Sequence, residues 1–383
     1  MRRPAARLLL LLFCLLLSGC WDYIEVETLT FVIGAGVDIT PENHFKLSVE
    51  TFEVRGGDQT NITPYVASAT GITIFNALRN LTNTTGKQMF FGHSQAIVFS
   101  EEFARKGVGE VVGFMQRDAG VRTNMWLLVA KDASAEEVFK ADYPLSPSVG
   151  LYLNRVMDVQ ERNPTFIPMQ IWEFSRALNE EGMAAILPTI TLIEQDDKKI
   201  PMVEGTAVFD SDRMIGWLDV QDTRILGYLL TRRITGLLVT EPEFRGETKP
   251  VVAEVRASQV KINPKWENDQ LSMEIVVRLF LDLHELGFEV FDYSQTDLKR
   301  FLEEAFARQM KSDIEHLLNT VQKDLKLDII GFGSMTKKKV PQAWRKLGGK
   351  KWKSEFPQIP VMVHVSALIT ETGILAKPIT ARY

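Results

Sequence analysis

Cysteine is nearly absent from this chain: only Cys14 and Cys20 occur, both within the first twenty residues. A disulfide framework is therefore excluded for the remainder, and stability has to come from buried cores. Histidine is scarce as well. His44, His93, His284, His316 and His364 are scattered, and no pair stands three or four positions apart. With no usable thiolate and no histidine pair, a zinc site is not expected. A Gly-x-Ser-x-Gly elbow is missing, and Gly34-Ala-Gly36 follows a strand without the third glycine or the helix that a dinucleotide site needs. Ser334, after Gly331-Phe332-Gly333, is imaginable as a nucleophile, but the glycines read first as a stop after a helix, where positive φ is required. Acid pairs such as Glu101-Glu102 and Asp196-Asp197 read as helix-start charges and a solvated loop; none is singled out for sugar cleavage. Internal repeats and low-complexity segments are absent, and past residue 20 no apolar run reaches spanning length. "SMEIVVRLFLDL" comes nearest and is interrupted by Glu274, Arg278 and Asp282.

What the chain does have begins at its first residues. Arg2, Arg3 and Arg7 flank a ten-residue apolar run, Leu8–Leu17. A spanning helix needs about 20 apolar residues, whereas a basic start, a short apolar stretch and small residues make a secretory signal. Leu17-Ser18-Gly19-Cys20 matches the bacterial lipobox, which predicts a signal peptide over 1–19, cleavage before Cys20 and a diacylglycerol on its thiol. An ordinary signal peptide with a chance cysteine, or an uncleaved anchor, is the plainer alternative. An N-acyl chain on the freed amine would complete the anchor, since two or more chains hold a protein stably where one does so marginally. No other cofactor is expected.

Removal of residues 1–19 leaves 364 residues, enough for two or three domains. Losing three arginines takes the net charge from −5 to −8, which argues against nucleic acid as a partner. The pattern predicts an α+β protein of several domains, with mixed sheets flanked by helices. Over 20–195, strands alternate with helices, including "VETLTFVIGAGVDIT" and "HFKLSVETFEV" around Pro41-Glu42-Asn43, and one helix over "SEEFARKGVGEVVGFMQRD". Ser134 with Glu137 is a capping-box start. The charged "EQDDKKIP" marks a boundary, and 200–245 is expected as a small middle domain with a hairpin at Asp210–Arg213 and a helix. Over 250–383 a C-terminal domain is expected, with antiparallel strands, a long hairpin turning around "NPKWEND", and one long helix. That helix follows from apolar residues at helical spacing from Leu298 to Leu325.

One stretch reverses the local charge. From Lys337 to Lys353 there are eight basic residues and no acid: Lys337, Lys338, Lys339, Arg345, Lys346, Lys350, Lys351 and Lys353, with Trp344 and Trp352 between them. A solvated basic loop is the plain reading. The sharper one is a contact surface for anionic headgroups or an acidic partner, where each base contributes ~1 kcal/mol and tryptophan favours the interface.

Three stretches carry a resemblance: Gly19–Asp22; Val203-Glu204-Gly205-Thr206-Ala207-Val208-Phe209 with Arg213-Met214-Ile215-Gly216-Trp217-Leu218 and Thr223-Arg224; and Gly331-Phe332-Gly333 followed by Trp344, Trp352 and Phe356-Pro357. In this order the chain resembles the Ger(x)C family of spore-germination lipoproteins, the C subunits of germinant receptors. The resemblance implies a non-enzymatic, lipid-anchored subunit on the outer face of the inner spore membrane. It also implies assembly with a multi-pass A subunit and a transporter-like B subunit. Two other classes stay open: a solute-binding lipoprotein of a transport system, which needs two similar lobes, and a lipid-anchored hydrolase, which needs a catalytic constellation.

Overall fold

The computed structural model describes residues 25–55, 61–118, 120–143, 146–159, 164–230, 235–244, 246–286 and 296–371. The signal segment and Cys20 lie outside them.

The stretch from Leu29 to Leu218 builds one nine-stranded sheet. Its elements in chain order are β1 (Leu29–Ile39), β2 (Phe45–Arg55), β3 (Asn61–Gly71), α1 (Ile74–Thr85), β4 (Gln88–Phe90), β5 (Ala96–Ser100), α2 (Glu101–Lys106), α3 (Gly109–Arg117), β6 (Trp126–Ala130), α4 (Ala135–Lys140), α5 (Val149–Val159), α6 (Ile171–Asn179), β7 (Ile186–Gln195), β8 (Lys198–Asp210) and β9 (Arg213–Leu218). The strand order is β3-β2-β1-β5-β6-β7-β8-β9, with β4 beside β1. The centre, β1-β5-β6-β7, is parallel, and antiparallel hairpins extend it on both sides. "AIVFS" and "WLLVA" are continuous apolar runs because both faces are covered. Ile97, Phe99, Leu127 and Val129 enter the large core, while Ala96, Val98, Leu128 and Ala130 meet α4 and α5 on the other face.

Several helices start where a carboxylate or hydroxyl accepts their free N–H groups. Ser134 and Glu137 form the expected capping box on α4. Two further caps come from strands. Asp38 on β1 accepts from Ala135 N and Glu136 N at 2.7 and 3.1 Å, and Glu50 on β2 accepts from Val149 N and Gly150 N, both at 2.8 Å. The single helix expected from Ser100 onward is two, because the Asp212 carbonyl and carboxylate take Val108 N and Gly109 N and break the run.

A second sheet follows. Its elements are α7 (Val220–Leu229), β10 (Gly236–Thr240), the short ribbon β11 (Glu243–Phe244) and β12 (Glu247–Thr248), β13 (Val251–Glu267), β14 (Gln270–Leu286), α8 (Thr296–Asn319), α9 (Phe332–Lys339), α10 (Pro341–Leu347), α11 (Trp352–Glu355) and β15 (Val361–Glu371). The order is β10-β13-β14-β15. The long hairpin is present, but it turns at Asn268-Asp269, both at positive φ, and "NPKWE" continues the strand. The expected antiparallel strands are β10, β13 and β14, and the last strand, for which the sequence pattern gives no direction, runs parallel to β14. The chain returns to the sheet through α8, a crossover that places β15 in the same direction as β14. The long helix ends in a wide turn, with Leu325 N donating to Thr320 O at 2.9 Å. Its apolar stripe, including Leu298, Leu302, Phe306, Met310, Ile314 and Leu317, is buried.

The stretch expected as a middle domain is divided between the two sheets. β8 and β9 are the far edge of the first, and β10 is an edge of the second. "EQDD" is a hairpin turn, with Asp196 and Asp197 at positive φ, so its charge marks a turn inside the sheet. Helix α7 is buried almost throughout and packs between β8, α8 and β13. The apolar side chains of both sheets merge into one core.

Candidate functional site

The basic segment lies at the joint between the sheets. Its base is Asp328, a buried carboxylate. Oδ1 accepts from Gly331 N at 2.7 Å and Phe332 N at 3.0 Å; Oδ2 accepts from Gly333 N at 2.8 Å and Trp352 Nε1 at 3.0 Å. Gly331, at φ +87, turns the three N–H groups inward, a conformation that costs glycine little. Burial pushes the Asp328 carboxyl up to about 6, against the pull of the four donors. The Gly-Phe-Gly stretch therefore begins a helix, α9, and the expected positive φ falls on its first glycine.

Gly182, in the loop before β7, meets Gly333 backbone to backbone. A Cβ on Gly182 would lie 2.7 Å from Gly333 and 2.8 Å from the Trp344 ring. Ser334 N donates to Gly182 O at 3.1 Å, and Ala184 N donates to Asp328 O at 2.7 Å. Trp352 is 5% exposed, and its ring lies 5.4 Å from that of Trp344. The tryptophans thus sit in the joint and do not form an exposed membrane-seeking pair.

The lysines around this joint are largely engaged within the molecule. Lys337 pairs with Glu181 at 2.9 Å, Lys338 with Glu180 at 3.4 Å and Lys353 with Asp210 at 2.5 Å, all reaching the first sheet's unit. Lys346 pairs with Asp269 at 2.7 Å, at the tip of the long hairpin, and lies over the Trp266 ring. Lys339 donates to Ile262 O at 2.8 Å and Asn263 Oδ1 at 3.3 Å. The Ser334 hydroxyl, with Lys338 and Lys337 beside it, holds the Glu180 carboxyl below its usual range. Among the described residues, Lys351 reaches only the Lys346 carbonyl, at 3.4 Å. Arg345 and Lys350 are exposed and have no carboxylate partner among the described residues.

The sequence singled out the bases but not their partners. Glu180, Glu181, Asp210 and Asp269 are far away in the chain, and nothing local marks them. Asp328 had a signal, an acid shortly before Gly-Phe-Gly. Chemically, the arrangement is a rigid, internally neutralised joint. The described residues contain no group of three metal-ligating side chains and no helix long and apolar enough to cross a membrane. The two sheets differ in size and order, unlike the paired lobes of a solute-binding protein.

Residues 22–192 match the model of the spore germination protein N-terminal domain, and residues 204–373 match that of the spore germination B3/GerAC-like C-terminal domain. Spore germination protein KC of Bacillus subtilis (strain 168) is 24% identical, over 100% of this chain and 99% of that protein. Spore germination protein B3 of the same organism is 22% identical, over 98% of this chain and all of that protein. In the solved structures, the crystal structure of the GerBC protein superposes with a TM-score of 0.56 at 18% identity, covering 88% of this chain and 96% of that one.

Proposed function

The chain belongs to the Ger(x)C, or GerAC-like, family of spore-germination proteins, and from that premise we propose that it is the lipid-anchored, non-catalytic C subunit of a nutrient germinant receptor. Cys20 would carry the diacylglycerol and the N-acyl chain, and the protein would sit on the outer face of the inner spore membrane. It would act by assembling with the membrane A and B subunits. One observation carries this reading: the family match starts at Asp22, two residues after the lipobox cysteine, and its two parts run on to residue 373. A signal over 1–19 and an anchor at Cys20 would thus run directly into the family domains. The surface left for a partner on the basic segment is narrower than its composition suggested. Arg345, Lys350 and Lys351 remain open, while the other five bases face partners in this chain.

The test is Cys20→Ala in the sporulating host, followed by membrane fractionation and recovery of tagged A and B subunits. The variant should leave the membrane fraction and lose both subunits, and spores should respond poorly to nutrient. Unchanged membrane retention with processing after residue 19 would refute the anchor. Retention of both subunits after Arg345, Lys350 and Lys351 are all changed to Glu would remove the basic segment from the contact.

A further inference from the structure

Beside the joint lies an open cleft of about 510 Å³. That size falls within the ~300–1,000 Å³ range of small-ligand sites. Four pieces of the fold wall it: Met183 from the loop before β7, Leu229 at the end of α7 with Leu230 after it, the middle of β13, and the start and face of α9. Met183, Leu230, Val260 and Met335 give it an apolar surface, with the buried Leu229 and Ile330 behind them. Leu229 and Ile330 belong to the buried core, so that surface is set by rigid elements.

The charged side chains that line the cleft are all basic, with the Glu180 carboxylate behind Ser334 and Lys338. These are Lys261, Lys338 and Lys339, and none of the described lining residues is acidic. This is unusual for a chain with a net charge of −5. Lys339 is held in the wall by Ile262 O and Asn263 Oδ1, and Lys338 is drawn aside to Glu180. Lys261 is exposed and has no carboxylate partner among the described residues. Apolar walls favour a hydrocarbon body, and fixed ammonium groups at their edge favour one negative head.

We propose that this cleft binds an amphipathic anion, a single hydrocarbon chain ending in a carboxylate or a phosphate. The chain lies along Met183, Val260 and Met335, and the head meets Lys261 with Lys338 and Lys339. A free fatty acid and a phosphate-headed lipid share this chemistry. The inference is independent of the receptor reading and survives its failure.

The experiment uses residues 25–383, which hold every described element, and measures binding calorimetrically with decanoate, decyl phosphate and the neutral decanol, each below micelle formation. Decanoate or decyl phosphate should bind at least tenfold more tightly than decanol. A response to decanoate alone assigns a free carboxylate as the source, and one to decyl phosphate alone a phosphate-headed lipid. Lys261→Glu, on an exposed side chain, should weaken the anions at least tenfold, leave decanol unchanged and leave the melting temperature unmoved. Met335→Trp should weaken all three by filling the cleft. Equal affinity for decanol and the anions, anion binding indifferent to Lys261→Glu, or no binding of any probe would overturn the proposal.

Discussion

Asp328 shows what one buried carboxylate does here. Its two oxygens receive four N–H groups, so removing an acceptor leaves buried donors unpaired. In Asp328→Asn the amide nitrogen must face two of those donors whichever way it turns. The variant should lose roughly 3 kcal/mol at pH 7.5, where the carboxyl is ionised. A urea midpoint within error of the parent would contradict this. Glu136 gives a pH prediction. Burial raises its carboxyl, but hydrogen bonds from Lys46, Lys140 and Ser68 outweigh burial and hold it down at about 2. Its folded value lies below the unfolded 4.5, so its contribution is full above about pH 4.5 and is lost as pH falls toward 2. Glu136→Gln should melt below the parent at pH 6, and the two curves should converge near pH 2. A gap that stays constant across that range would exclude the mechanism. The role of Glu136 was not legible in sequence, because Lys46 and Ser68 lie 90 and 68 residues from it. The Ser134–Glu137 box was legible, since both partners sit within one turn.

Elements were legible where burial imposed a period. The long helix announced itself through its stripe, which covers β15 and β10, and the C-terminal hairpin through its alternation. Strand β3 was missed because "NITPYVASATG" has few large apolar residues; β2 holds it by pairing along its whole length. The direction of β15 was also beyond local pattern, because it depends on the route the chain takes over the sheet. Burial along α8 sets a sharp contrast for substitution. Leu302 is fully buried and Phe306 is 1% exposed, so either one changed to Asp places a carboxylate in the core and should cost about 4 kcal/mol or more. Leu368, 45% exposed on the open face of β15, is the matched control. Leu368→Asp should shift stability by about 0.5 kcal/mol or less. Equal losses at the two kinds of site in thermal melts would mean that α8 does not cover this sheet.

At the scale of the molecule, the sequence suggested three separate units, and the chain folds as two sheets sharing one core. Polar linkers misled that reading because turns inside a sheet and joints between domains draw on the same residues. The shared core predicts one cooperative unfolding transition, with backbone and tryptophan signals coincident. The ion pairs across the joint add little by themselves, since exposed pairs contribute about 0–1 kcal/mol each. The close packing of Gly182 on Gly333 is the stronger constraint. A methyl group at Gly182 has nowhere to go: it would meet Gly333 at 2.7 Å and Trp344 at 2.8 Å, from a backbone at φ +76. Gly182→Ala should therefore force the loop off α9, lose roughly 2 kcal/mol or more, and disturb Trp344 and Trp352 before the sheets unfold. Urea titrations of both proteins, followed by circular dichroism and tryptophan fluorescence, test this directly. The parent should give superimposable curves, and in Gly182→Ala the fluorescence midpoint should fall below the dichroism midpoint. Separated transitions already in the parent would mean that the two sheets do not form one cooperative core. Coincident, unshifted curves in the variant would mean that the glycine contact does not hold the joint.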